Sequence, residues 1–187
     1  MVLKSNEVKM LFVVYVIMVV LLRLMANIKY FTLIPLGLFA MLVSMLIGRR
    51  VALIMNSLFC IIGCFIFNGD VKFLAYTLLV GTMGALLIQR TDKRKYIMPV
   101  AFAMGLISFV AMFGTGLFFE NGYSAGLLAS SIFAAVMGIV SVIIAVGSLP
   151  FWEAAFEANT PHRRLELPNP NNEALRRLMI EAPGTYH

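Results

Sequence analysis

The chain has 187 residues, 61% of them hydrophobic, with a mean hydropathy of +0.92. A soluble domain is usually about 45–50% apolar, so no water-soluble fold could cover this much apolar surface, and the long unbroken runs lack the alternation of a transmembrane barrel. The net charge of +6 sits in short clusters beside apolar runs, a pattern of membrane orientation rather than of a nucleic-acid interface. The expected fold is therefore an all-α, polytopic membrane helix bundle, with the lipid bilayer as its solvent and no nucleic-acid partner.

Residues 1–9 read as a polar N-terminal segment carrying Lys4, Glu7 and Lys9. The apolar run after it could be the h-region of a signal peptide, but no small-x-small cleavage site follows, so Met10–Ala26 is predicted as the first span. Arg23 near its far end has two readings, a charge that snorkels to the headgroups or a buried functional charge. The second span is expected over Tyr30–Ile47, with Pro35 in its first turns, where a missing N–H costs least. Gly48-Arg49-Arg50 forms the next turn, and Val51–Phe67 the third span. Cys60 and Cys64 lie inside it as buried thiols, since a metal site would need further ligands nearby.

Asn68-Gly69-Asp70 is a strong turn signal. The fourth span is expected over Val71–Gln89, followed by the basic loop Arg90–Lys95. The fifth is expected over Tyr96–Phe119, with a bent or frayed last turn at Gly114-Thr115-Gly116. Glu120-Asn121-Gly122 turns the chain into the sixth, Ser124–Leu149. Six spans with a cytoplasmic N-terminus put Lys4, Lys9, Arg49, Arg50, Arg90, Lys93, Arg94, Lys95, Arg163, Arg164, Arg176 and Arg177 inside. Only Arg23, Lys29 and Lys72 fall outside, so the positive-inside rule points to N-in/C-in, a multi-pass protein of the cell membrane.

Ser130, Ala134, Gly138, Ser141, Ala145 and Ser148 recur at spacings of three and four along the sixth span. Small residues let helix backbones approach closely in lipid. An intrachain helix contact is the first reading of this stripe, and a homodimer interface or sliding signal surface the other. Gly81, Gly84 and Gly105 are its expected counterparts. The polar residues inside the spans are Ser44, Asn56, Thr77, Thr82 and Ser108, each expected to be satisfied by helix backbone or a neighbouring helix. No Asp or Glu falls at a predicted membrane centre, which disfavours a proton relay or cation path. A serine nucleophile would lack a base, because no His or Lys lies deep within the spans, Lys72 being at the very edge of the fourth. No catalytic, cofactor-binding or metal-binding residue is therefore assigned in this chain.

Beyond Leu149 the composition changes to charged residues and prolines: Pro150, Pro161, Pro168, Pro170 and Pro183. Phe151-Trp152-Glu153-Ala154-Ala155-Phe156 is amphipathic and aromatic, and is expected to be a juxtamembrane helix along the inner leaflet. A connector with Pro161, His162, Arg163 and Arg164 leads to a helix start at Asn172-Glu173, with Leu175, Leu178 and Met179 as its apolar stripe. Ala182-Pro183-Gly184 ends it.

Leu149-Pro150-Phe151-Trp152-Glu153, Leu165-Glu166-Leu167 with Asn169-Pro170-Asn171, and Leu175–His187 together resemble the junction of the bacterial seven-transmembrane receptors with an intracellular HD hydrolase. The resemblance implies a metal-dependent cyclic-dinucleotide phosphodiesterase, with cyclic di-AMP as substrate and two divalent ions, manganese or iron, in its HD domain. It also implies an extracellular domain followed by seven spans, so the chain is expected to begin after the first of them. In that family Gly-Thr-Tyr precedes two adjacent histidines, the second being the expected metal ligand. His187 matches the first. The implied organisation is an N-terminal segment 1–9, a transmembrane domain 10–149, a juxtamembrane helix and connector 150–171, and the start of an HD domain 172–187. The chain alone is expected to be inactive, contacting cyclic di-AMP only through the rest of that domain. The alternative reading is a self-standing small transporter or scaffold.

Overall fold

The computed structural model describes residues 5–26, 31–88, 96–119 and 122–156. Its elements are helices α1 (Ser5–Met25), a 3₁₀ turn η1 (Phe31–Leu33), α2 (Gly37–Leu46), α3 (Arg49–Ile66), α4 (Val71–Leu87), α5 (Ile97–Phe119) and α6 (Ala125–Phe156). This is the all-helical membrane bundle expected from composition. Among the described residues four helices are long and apolar enough to cross a membrane, while Phe31–Leu46 and Val71–Leu87 are shorter apolar segments.

The organising element is α2. Every residue from Gly37 to Leu46 is buried, which a helix that is apolar on all sides requires. It packs against α3, α4 and α6, and more lightly against α1. The sequence predicts one span over Tyr30–Ile47. The structure instead divides it at Pro35 into η1 and a ten-residue helix of roughly 15 Å. The proline lacks an N–H and disfavours α geometry at Ile34 before it. Short local bonds close the break, from Ile34 N–H to the Phe31 carbonyl at 3.0 Å and from Leu38 N–H to the Pro35 carbonyl at 3.0 Å. Irregular backbone at membrane depth is tolerated where protein covers it, and Phe31, Thr32, Ile34 and Leu36 are all buried.

Helix boundaries follow their caps. Arg49 and Arg50, expected in a turn, form the exposed first turn of α3 after Gly48, whose φ of +134° few side chains could adopt. At the other end of α3, Asn68 (φ +57°) and Gly69 (φ +81°) reverse the chain, and Gly69 N–H donates to the Cys64 carbonyl at 2.8 Å. Asp70 then caps α4, its carboxylate accepting from the N–H groups of Lys72 (2.8 Å) and Phe73 (3.2 Å). Ser124 does the same for α6, accepting from Leu127 N–H at 3.0 Å.

Two further expectations change, and the two readings of Arg23 are decided. α5 stays helical to Phe119 rather than fraying at its glycines, because Gly116 is the slot into which the Leu127 side chain fits. α6 does not stop at Leu149 but runs through Pro150 to Phe156. Proline removes only its own N–H bond, toward Val146, and the turns on either side hold. The aromatic segment 151–156 is thus helical, as a continuation of α6 rather than a separate helix. Arg23 is exposed in the last turn of α1, so it can snorkel and is not a buried charge. Lys29, the Arg90–Lys95 loop, Glu120-Asn121 and everything after Phe156, including His162, the connector and His187, lie outside the described residues.

Replacing Asp70 by Ala should lower stability in detergent by about 1 kcal/mol, read from thermal unfolding followed by circular dichroism, with Asp70→Asn close to the parent.

Candidate functional site

The most closely packed feature among the described residues is the seam along which α6 meets its neighbours. The most extensive helix contact is between α5 and α6, and α6 also touches α2 and η1. Each helix offers a glycine to the other's backbone. A Cβ on Gly105 would meet the Ile139 side chain at 2.9 Å and the Ala135 carbonyl at 3.1 Å. A Cβ on Gly138 would meet Ser108 Oγ at 2.5 Å and the Met104 carbonyl at 2.7 Å. Neither position has room for a side chain, and this closeness is the main source of helix attraction in lipid.

The predicted small-residue stripe is this seam. Ala134, Gly138, Ser141 and Ala145 are buried, and Ser130 and Ser148 are half-buried at its ends. The intrachain reading of the stripe therefore holds for its centre. Of the three expected counterparts only Gly105 faces α6. Gly84 receives Met41 of α2, with a Cβ-to-Cε distance of 2.8 Å, and Gly81 receives the Asn56 side chain of α3.

The interior polar residues divide into two groups. Ser44 Oγ donates to the Ala85 carbonyl at 2.8 Å, tying α2 to α4. Thr82 Oγ1 donates to the Leu78 carbonyl of its own helix at 2.7 Å. Asn56, Thr77 and Ser108 were also expected to be satisfied, but their buried side-chain atoms have no hydrogen-bond partner. The cause is geometric. Asn56 lies against Gly81, and Ser108 faces Gly138 and Tyr76 without a hydrogen bond of good geometry. Glycine admits the close approach but brings no side-chain acceptor. An unpartnered buried amide or hydroxyl costs free energy, and these three lie where α3, α4, α5 and α6 meet.

Cys60 is buried and Cys64 half-buried, both as free thiols. Among the described residues no three His, Cys, Asp or Glu side chains come together to hold a metal. The residues present do not fit a divalent-ion centre, and no chemical step is assigned to them.

Residues 2–160 match the family model described as 7TM receptor with intracellular HD hydrolase. The chain belongs to that family. It is 30% identical over 169 residues to the cyclic-di-AMP phosphodiesterase PgpH of Bacillus subtilis (strain 168), covering 86% of this chain and 23% of the relative. Against the cyclic-di-AMP phosphodiesterase PgpH of Listeria monocytogenes serotype 1/2a (strain 10403S) it is 27% identical over 183 residues, covering 95% of this chain and 25% of the relative. A 59-residue stretch, 32% of this chain and 7% of the relative, is 42% identical to the uncharacterized protein slr0104 of Synechocystis sp. (strain ATCC 27184 / PCC 6803 / Kazusa). No solved structure matches. The chain thus spans about a quarter of the two phosphodiesterase relatives, or less. The Listeria match reaches past Thr160 into the tail, because 95% coverage leaves out fewer residues than the tail contains. In this receptor family the described bundle is membrane-sensor architecture, with α6 as the helix that continues toward the tail.

Two substitutions test the seam. Gly138→Leu should destabilise the detergent-solubilised chain by about 1–3 kcal/mol through overpacking, while Gly147→Leu, where nothing lies within 4 Å of the added Cβ, should be close to neutral. Asn56→Val should cost less than Gly138→Leu, because it removes an unpartnered amide with only a small increase in volume against Gly81. Thermal melts of the three variants check both statements.

Proposed function

We propose that this chain is the membrane sensor and signal-transmitting part of a receptor-type cyclic di-AMP phosphodiesterase whose catalytic HD domain follows the connector. The single observation that carries the reading is the match of residues 2–160 to the receptor family. The two relatives named as cyclic-di-AMP phosphodiesterases support the substrate class. The divalent ions, manganese or iron, belong to that downstream domain. We assign residues 172–187 to the start of that domain, with His187 one position before the expected ligand.

The orientation that fits is N-in/C-in, with α6 ending at the cytoplasmic face of the cell membrane. The exposed Arg49 and Arg50 at the start of α3 then lie inside, and Arg23 at the end of α1 lies outside, as the positive-inside rule favours. A signal acts by binding one helix arrangement more tightly than another, since only differential affinity shifts an equilibrium. The element placed to carry that shift is α6. It is packed on α5 and α2 along the bundle and runs unbroken to Phe156. Trp152 is half-buried beside Phe151 in the last turns, where aromatic rings sit well at the headgroup level. A homodimer formed through the downstream domain is compatible with a seam that is internal to one copy.

The test is hydrolysis of cyclic di-AMP with manganese by this chain and by the chain extended along the reading frame beyond His187. Turnover by the extended protein alone is the expected result; turnover by the 187 residues alone, or by neither, would overturn the reading. In the extended protein Gly138→Leu should change the rate severalfold while Gly147→Leu should not.

A further inference from the structure

A cavity of about 430 Å³ lies between η1 and the first half of α6, lined by Thr32, Leu33, Gly126, Ala129, Ser130 and Phe133. Its volume is within the ~300–1,000 Å³ range of small-molecule sites. Gly126, Ala129, Ser130 and Phe133 follow one another at helical spacing and form one face of α6. Gly126 and Ala129 are exposed and Phe133 is 52% exposed, so the cavity opens toward the lipid side of the bundle. Small residues on one wall and a bulky apolar side chain on each side make it a groove.

Two hydroxyls line this groove. The hydroxyls of Ser57, Thr82 and Ser148, which are exposed or half-buried on α3, α4 and α6, each donate to a carbonyl of their own helix. Thr32 and Ser130 make no such bond among the described residues, and unlike the enclosed Thr77 and Ser108 they border an open cavity. Thr32 is only 3% exposed, and what remains accessible of it lines the groove. A hydroxyl held in an apolar setting without a partner favours a ligand that brings an acceptor.

Depth names that ligand. Gly126 is the second residue of α6 and Phe133 lies roughly 10 Å further along its axis. With the start of α6 taken at the headgroup boundary, the groove ends partway through one leaflet, given a hydrocarbon core of about 30 Å in a bilayer of about 40–45 Å. Ester carbonyls of lipids lie at its upper end and the first methylenes of their chains along the remainder. We propose that the groove is a binding site for one membrane glycerolipid. Its ester carbonyl accepts from the Thr32 hydroxyl, with Ser130 as the second donor, and its acyl chain lies along Ala129 and Phe133 against Leu33. The leaflet is the one opposite the Phe156 end of α6. The occupant lies alongside the contact between α6 and η1, which leads into the buried α2. Binding does not rest on the hydrolase reading and is read out without hydrolysis.

The test uses the whole chain in nanodiscs of ester-linked phosphatidylglycerol containing a trace of the same lipid with a photoactivatable group near its first methylenes. Labelling at Ala129–Phe133 should exceed severalfold that at Phe102 and Leu106, which are exposed on α5. Ala129→Trp should fill the groove and bring labelling down to the α5 level. Thr32→Val should lower the preference for an ester-linked over an ether-linked probe about threefold, with helicity by circular dichroism unchanged. If Ala129→Trp fails to fold, the Thr32→Val comparison decides. Labelling no higher than on α5, or an ester preference insensitive to Thr32→Val, would mean bulk lipid only and overturn the site. Disulfide-linked dimers of Ala129→Cys that abolish labelling would assign the groove to a second copy and overturn it equally.

Discussion

Ten consecutive residues, Gly37–Leu46, have no face left for lipid, and the bundle is arranged to cover them. In a bilayer the hydrophobic effect does not drive this, because lipid tails are as apolar as leucine. What holds α2 in place is close van der Waals contact, bought with small residues on its neighbours. Gly84 of α4 makes room for Met41, Gly37 itself meets Val80 and Met104, and Ser44 adds one hydrogen bond to the Ala85 carbonyl. A helix of this length cannot cross the hydrocarbon core alone, so Pro35 and η1 complete the segment with irregular backbone that only protein can shelter.

The same contact geometry fits the transmitting role proposed for α6. Gly105 and Gly138 bring α5 and α6 so close that neither helix can change its facing residues without moving as a body. Packed interfaces of this kind have discrete arrangements rather than a continuous range. α6 also extends beyond the bundle's predicted edge, through Pro150 to Phe156. In that proposed role, a displacement at the seam would reach the end of a continuous helix.

The unpartnered groups at Asn56, Thr77 and Ser108 sit in this interior. A fully satisfied interior would favour one arrangement strongly. Each polar group left without a partner costs the observed arrangement free energy.

Sequence alone determined the membrane class, the number of apolar segments, the turn at Asn68-Gly69-Asp70, the small-residue face of α6 and the family, because each depends on local composition, spacing or motif. The exposed Arg23 and the capping role of Asp70 follow from position at a helix end, and were close to legible. Tertiary structure decided which segment is central, where the glycines point, and which polar groups lack partners. Ser44 and Ser108 look alike in sequence, yet one finds a carbonyl on α4 and the other a glycine on α6. Pro35 and Pro150 also look alike as helix breakers, yet the chain breaks at the first and passes through the second. The reason is common to both pairs: a residue's local preferences set what it can do, and the neighbours brought to it by packing set which of those options has the lowest free energy.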